Sequence, residues 1–91
     1  MVLVVEDGSL VRTIARRALS EAGFDVLDAA DGHQALAVIA GQDQVDLVLT
    51  DLAMPELGGR ELAQRLSQTR PGLPVIFMSG YTDDDLARRA W

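Results

Sequence analysis

The sequence predicts an α/β fold, an open parallel sheet layered between helices. Two observations predict it. Four short aliphatic and β-branched runs alternate with four helical patterns along 91 residues, a length that makes one rather small domain. Three of those runs are nearly continuous in apolar residues, the pattern of strands buried on both faces. Strands joined by helices of about ten residues make right-handed crossovers and a parallel sheet.

Residues 2–6 read as the first strand. Ser9 is placed to cap the helix that follows, on which Val11, Ile14, Ala15, Ala18, Leu19 and Ala22 recur at helical spacing until Gly23 ends it. Residues 25–29 are more polar and alternate, which suits an edge strand. Asp31 is placed to cap a second helix, with Ala35, Leu36, Val38 and Ile39 on its inner face and Gly41 at its end. Residues 45–50 form the third strand and residues 53–59 a loop. Arg60 to Gln68 is a third helix with Leu62, Ala63 and Leu66 apolar, and Pro71-Gly72 breaks it. Residues 74–78 are the fourth strand, and Thr82 or Asp83 caps a last helix that runs to Trp91. The apolar positions on these helices and strands read as core.

Composition narrows the function classes. Hydrophobic content of 48% with 24% charged residues is ordinary for a soluble globular domain. With no cysteine there is neither a disulfide framework nor a thiolate metal site, and with His33 the sole histidine a His-rich zinc site is excluded. A net charge of −6 argues against nucleic acid as a direct partner. No apolar run approaches the ~20 residues of a membrane span, and the run at residues 2–5 is too short for a signal peptide, so the expected compartment is the cytoplasm. All eight basic residues are arginines.

The chemistry sits where strands end. Glu6-Asp7 follows the first strand and Asp51 follows the third. In an open parallel sheet, ligands bind outside the carboxyl ends of the strands. If those two strands are neighbours, three carboxylates meet, and two like charges ~4 Å apart repel by ~4 kcal/mol at an effective dielectric of ~20. Each acid alone reads equally well as a helix cap, but their convergence calls for a cation. An all-oxygen donor set matches a hard divalent ion, Mg²⁺ first. Ser79-Gly80 follows the fourth strand as Asp51 follows the third. A hydroxyl and an exposed N–H facing a metal-bound carboxylate make an oxyanion-binding arrangement.

Val4-Val5-Glu6-Asp7, Asp31-Gly32, Thr50-Asp51-Leu52-Ala53-Met54-Pro55 followed by Gly58-Gly59, and Phe77-Met78-Ser79-Gly80-Tyr81 together resemble a response-regulator receiver domain of two-component signalling. The resemblance spans the chain. It implies a flavodoxin-like sheet with strand order 2-1-3-4 here, which sets the first, third and fourth strands side by side. It implies that Asp51 accepts a phosphoryl group, that Asp7, Asp51 and the Ala53 carbonyl bind Mg²⁺, that Glu6 reaches the metal through water, and that Ser79 bonds the phosphoryl group. The implied partner is a histidine kinase or phosphotransfer protein, and the domain is not a turnover enzyme. Residues 70–81 are similar to receivers fused to hybrid histidine kinases. The family also has a fifth strand, followed by a lysine and a fifth helix. This sequence stops in the fourth helix and has no lysine, so the domain reads as incomplete at its C-terminus. An open fourth-strand edge, with Leu86 and Trp91 packing on a second chain, makes a homodimer or swapped oligomer the expectation. Two other readings compete: a non-switching interaction module, and a Mg²⁺-dependent phosphohydrolase, for which Glu6-Asp7-Gly8 lacks the Asp-x-Asp spacing.

Overall fold

A computed structural model of the chain describes residues 1–52, 54 and 56–77. In chain order its elements are β1 (Val2–Val5), α1 (Ser9–Glu21), β2 (Val26–Ala29), α2 (Gly32–Ala40), β3 (Leu47–Thr50), α3 (Gly59–Thr69) and β4 (Val75–Phe77). The strands form one parallel sheet in the order β2-β1-β3-β4, as the flavodoxin-like reading requires. The chain leaves β1 for β2 on one side and returns past it to β3, so β1 and β3 are neighbours although α1, β2 and α2 separate them in sequence.

Strand residues point alternately to the two faces of the sheet. On one face Leu3, Val5 and Val48 pack with Ala35 and Ile39 of α2 and with Leu62 and Leu66 of α3, all buried. The second helix is capped as expected: the Asp31 carboxylate accepts a hydrogen bond from the Gln34 amide at 2.8 Å. Its C-terminal carbonyls are gathered by one side chain. Arg70, just past α3, donates to the carbonyls of Ile39 at 2.7 Å and Gln42 at 3.1 Å, tying the two helix ends together.

Val2 and Val4 are also buried and point to the opposite face, where α1 lies against β1 and β2. Three expectations need correction here. Ser9 does not cap α1: the helix begins at Ser9 itself, so the cap position falls on Gly8, which has no side chain to bond. The apolar stripe of α1 is not core: none of its residues is buried, and Val11 and Ile14 stand 50% and 59% exposed. The third helix begins at Gly59, one residue before Arg60, and the fourth strand spans Val75–Phe77 within residues 74–78. Met78 and the last helix, with Leu86 and Trp91, lie outside the described residues.

Candidate metal centre

The register of the sheet builds the site. Val5 pairs with Thr50, and the ladder continues one residue further through the Asp51 amide to the Val5 carbonyl at 2.9 Å and the Glu6 amide to the Ala29 carbonyl at 3.1 Å. Glu6 and Asp51 therefore leave adjacent strand ends at the same level, and Asp7 is the next residue along. One carboxylate oxygen from each of Glu6, Asp7 and Asp51 lies within 4.8 Å of the others. Glu6 and Asp51 are buried and Asp7 is exposed. The sequence brought these three together correctly.

The surroundings are arranged around the charge. The Glu6 Oε1 accepts a hydrogen bond from the Gly8 amide at 3.0 Å, and Arg12, one turn into α1, donates to the Glu6 backbone carbonyl at 2.8 Å. The Thr50 hydroxyl, fully buried, donates to the Asp51 carbonyl at 3.0 Å. Burial pushes the Glu6 carboxyl up from its ordinary 4.5 to about 7; hydrogen bonds with the Asp7 and Asp51 side chains and the Asp51 charge push it the same way, and the Gly8 amide opposes them. Burial and a neighbouring carboxylate both disfavour the charged form of a carboxyl, and here they act together. Three oxygen donors of this kind, one exposed to supply a solvent path, fit a hydrated hard divalent ion such as Mg²⁺.

Ala53, Ser79 and Gly80 lie outside the described residues. Arg12 and Thr50 were not legible as site residues. Arg12 sits on a face that reads as solvent-exposed, and Thr50 reads as an ordinary strand residue; only their contacts with the backbone of Glu6 and Asp51 reveal them.

The sequence profile of the response regulator receiver domain matches residues 2–91. The chain belongs to that family. The receiver is 42% identical over 88 residues to the sensor kinase CckA of Brucella abortus, spanning 96% of this chain and 9% of the kinase. It is 36% identical over 91 residues to the DNA-binding transcriptional regulator NtrC of Salmonella typhimurium, spanning 100% of this chain and 19% of the regulator. Sequences similar to this chain thus lie within both a sensor kinase and a transcriptional regulator, and the chain matches only a small part of each. A response regulator receiver domain protein from Clostridium thermocellum superimposes with a TM-score of 0.84 at 29% identity, covering 98% of this chain and 71% of that one. The response regulator TrrA from Thermotoga maritima shares the fold at a TM-score of 0.76 and 22% identity, covering 98% and 94%. Among the described residues no helix is long and apolar enough to cross a membrane.

The raised Glu6 carboxyl has a consequence for pH. In metal-free protein, folding holds a proton on Glu6 that the unfolded chain releases above about 4.5. The stability this gives is fully present below 4.5 and is lost as pH rises through about 7. Against Glu6→Gln, the wild-type chain should lose up to about 3 kcal/mol between about pH 4 and about pH 8. Urea midpoints in the presence of a chelator measure this; parallel pH profiles for the two chains would contradict it.

Proposed function

We propose that this receiver is the phosphoacceptor module of a two-component phosphorelay, taking a phosphoryl group onto Asp51 from a histidine kinase or phosphotransfer protein. The convergence of Glu6, Asp7 and Asp51 at the ends of β1 and β3 carries the reading. In the transfer, an Asp51 carboxylate oxygen attacks phosphorus, a P–O bond forms, and the P–N bond to the donor imidazole breaks with its electron pair leaving on nitrogen. Bound Mg²⁺ would neutralise charge on the carboxylates and the incoming phosphoryl oxygens together. Asp7 and Asp51 are its proposed direct ligands with the Ala53 carbonyl, and Glu6 acts through water. Burial of Asp51 beneath the strand ends limits water around the nucleophile. Ser79 and Gly80 are the proposed contacts to the phosphoryl oxygens. The complex of TrrA with Mg²⁺-BeF supports the same pairing of ion and phosphoryl mimic in this fold.

The domain works once per phosphoryl group rather than as a turnover enzyme, and it does so in the cytoplasm. It also self-associates. Across the sheet, Val4, Leu49 and Ile76 share one row, and cover falls along it from buried through half-buried to 51% exposed at Ile76. With Leu10, Val11 and Ile14 exposed on α1, an apolar face is available for a second copy.

Two measurements test these readings. Incubation with acetyl phosphate and Mg²⁺ should add one phosphoryl group by intact mass, with none on Asp51→Asn; a folded wild-type chain of unchanged mass would end the phosphoacceptor reading. Steady release of phosphate from a phosphomonoester would instead favour the hydrolase. Light scattering at micromolar concentration should give a species larger than the monomer, and a monomer throughout would contradict self-association.

A further inference from the structure

The start of α3 touches the backbone of Asp51, and it can do so because Gly59 has no side chain. A Cβ placed on Gly59 would stand 2.2 Å from the Asp51 carbonyl oxygen, 3.0 Å from Leu52 Cα and 3.1 Å from the Asp51 carbonyl carbon. Nothing there is a flexible side-chain end that could swing aside. Gly59 is the first residue of an α-helix and is not among the positive-φ residues, so its backbone conformation does not call for glycine. The requirement is space. The Gly59 amide meanwhile donates to the Leu52 carbonyl at 2.9 Å, so the helix start is bonded to the very segment it presses on.

We propose that Gly59 is a positioning residue for Asp51: the bare first turn of α3 fixes where the Asp51 backbone lies and so where its carboxylate meets Glu6 and Asp7. The Asp51 backbone is held on three sides. Its amide donates to Val5 on β1, its carbonyl accepts from the Thr50 hydroxyl, and Gly59 closes the third side. A methyl group at position 59 must push the Asp51 carbonyl away by about 1 Å to reach an ordinary contact, and a displacement of about 1 Å at a reacting group costs about 10²-fold in rate. Two other glycines grade the effect. A Cβ on Gly58 would meet only the Leu52 carbonyl oxygen, at 3.0 Å, and one on Gly72 would meet nothing within 4 Å. This inference rests on the assignment of Asp51 as phosphoacceptor.

The test compares Gly59→Ala, Gly58→Ala, Gly72→Ala and Leu66→Ala with wild type. Three properties are read: Mg²⁺ affinity by calorimetry, initial rate of phosphorylation by acetyl phosphate at saturating Mg²⁺, and the denaturant midpoint. Leu66 is a buried α3 residue in the helical core, away from the strand ends, and its truncation supplies a loss of stability without a change at Asp51. Gly59→Ala should weaken Mg²⁺ binding by about tenfold or more and slow phosphorylation by about 10–100-fold. Leu66→Ala should lower the midpoint and leave affinity and rate as in wild type, and Gly72→Ala should change none of the three. If Gly59→Ala does not fold, Gly58→Ala carries the test, with an expected loss of about threefold to tenfold in rate. Wild-type affinity and rate in folded Gly59→Ala, or in Gly58→Ala where that variant carries the test, would overturn the inference. So would an equal loss in Leu66→Ala, which would make stability the cause. A wild-type chain that takes no phosphoryl group fails differently, since it removes the phosphoacceptor assignment before any variant is compared.

Discussion

Parallel pairing of β1 with β3 forces like charges together, and the rest of the structure is arranged around that fact. With Val5 opposite Thr50, the next residues on each strand are Glu6 and Asp51, and their carboxylate oxygens, with one from Asp7, lie within 4.8 Å of one another. Repulsion of ~4 kcal/mol for each close pair of charges is a large share of the ~5–15 kcal/mol that holds a domain folded. The structure answers locally. The Gly8 amide bonds the Glu6 carboxylate, the Arg12 guanidinium lies on the Glu6 carbonyl, and the Glu6 carboxyl is pushed up to about 7, so that near neutrality a proton can take the place of missing positive charge. Folding stability is thus given up at one place, where three carboxylates converge.

The loop from Asp51 to α3 is held with comparable care. Leu57 is a loop residue, yet it is 2% exposed and sits so close to the start of α2 that a Cβ on Gly32 would fall 2.7 Å from its side chain and its carbonyl oxygen. One residue earlier, Glu56 takes φ of +65°, a conformation costing about 1–2 kcal/mol for a residue with a side chain. Burying Leu57 returns roughly 1.5–3 kcal/mol, enough to hold the turn. Two helix starts without side chains, Gly32 and Gly59, therefore lie against Leu57 and against Asp51 and Leu52.

How far the sequence foretold this differs by feature. The strands were legible because each is a short apolar run between helical patterns; their order came from the family motifs, and the sheet has that order. Glu6, Asp7 and Asp51 were legible because acids follow two of those runs, although each alone reads equally well as a helix cap. Asp31 followed from ordinary capping chemistry. Ser9 misled because the helix begins one residue earlier than a Ser9 cap requires, which hands the cap position to Gly8. The stripe of α1 misled because helical spacing identifies an apolar face but not what covers it; Ile14 has the pattern of a core residue and stands exposed. Arg12, Thr50 and Gly59 act through backbone atoms distant in sequence, which no local pattern encodes.

The central claim is that these carboxylates are crowded for a cation. Thermal unfolding with and without Mg²⁺ at neutral pH tests it most directly. Wild-type protein should gain roughly 10–20 °C, since ion at about a hundred times its dissociation constant adds about 2.7 kcal/mol and each kcal/mol is worth about 4–8 °C in a domain this small. Asp51→Asn should unfold higher than wild type in chelator, because one repelling charge is gone, and should lose the response to Mg²⁺. A wild-type midpoint indifferent to Mg²⁺, or a variant no more stable than wild type in chelator, would contradict the account.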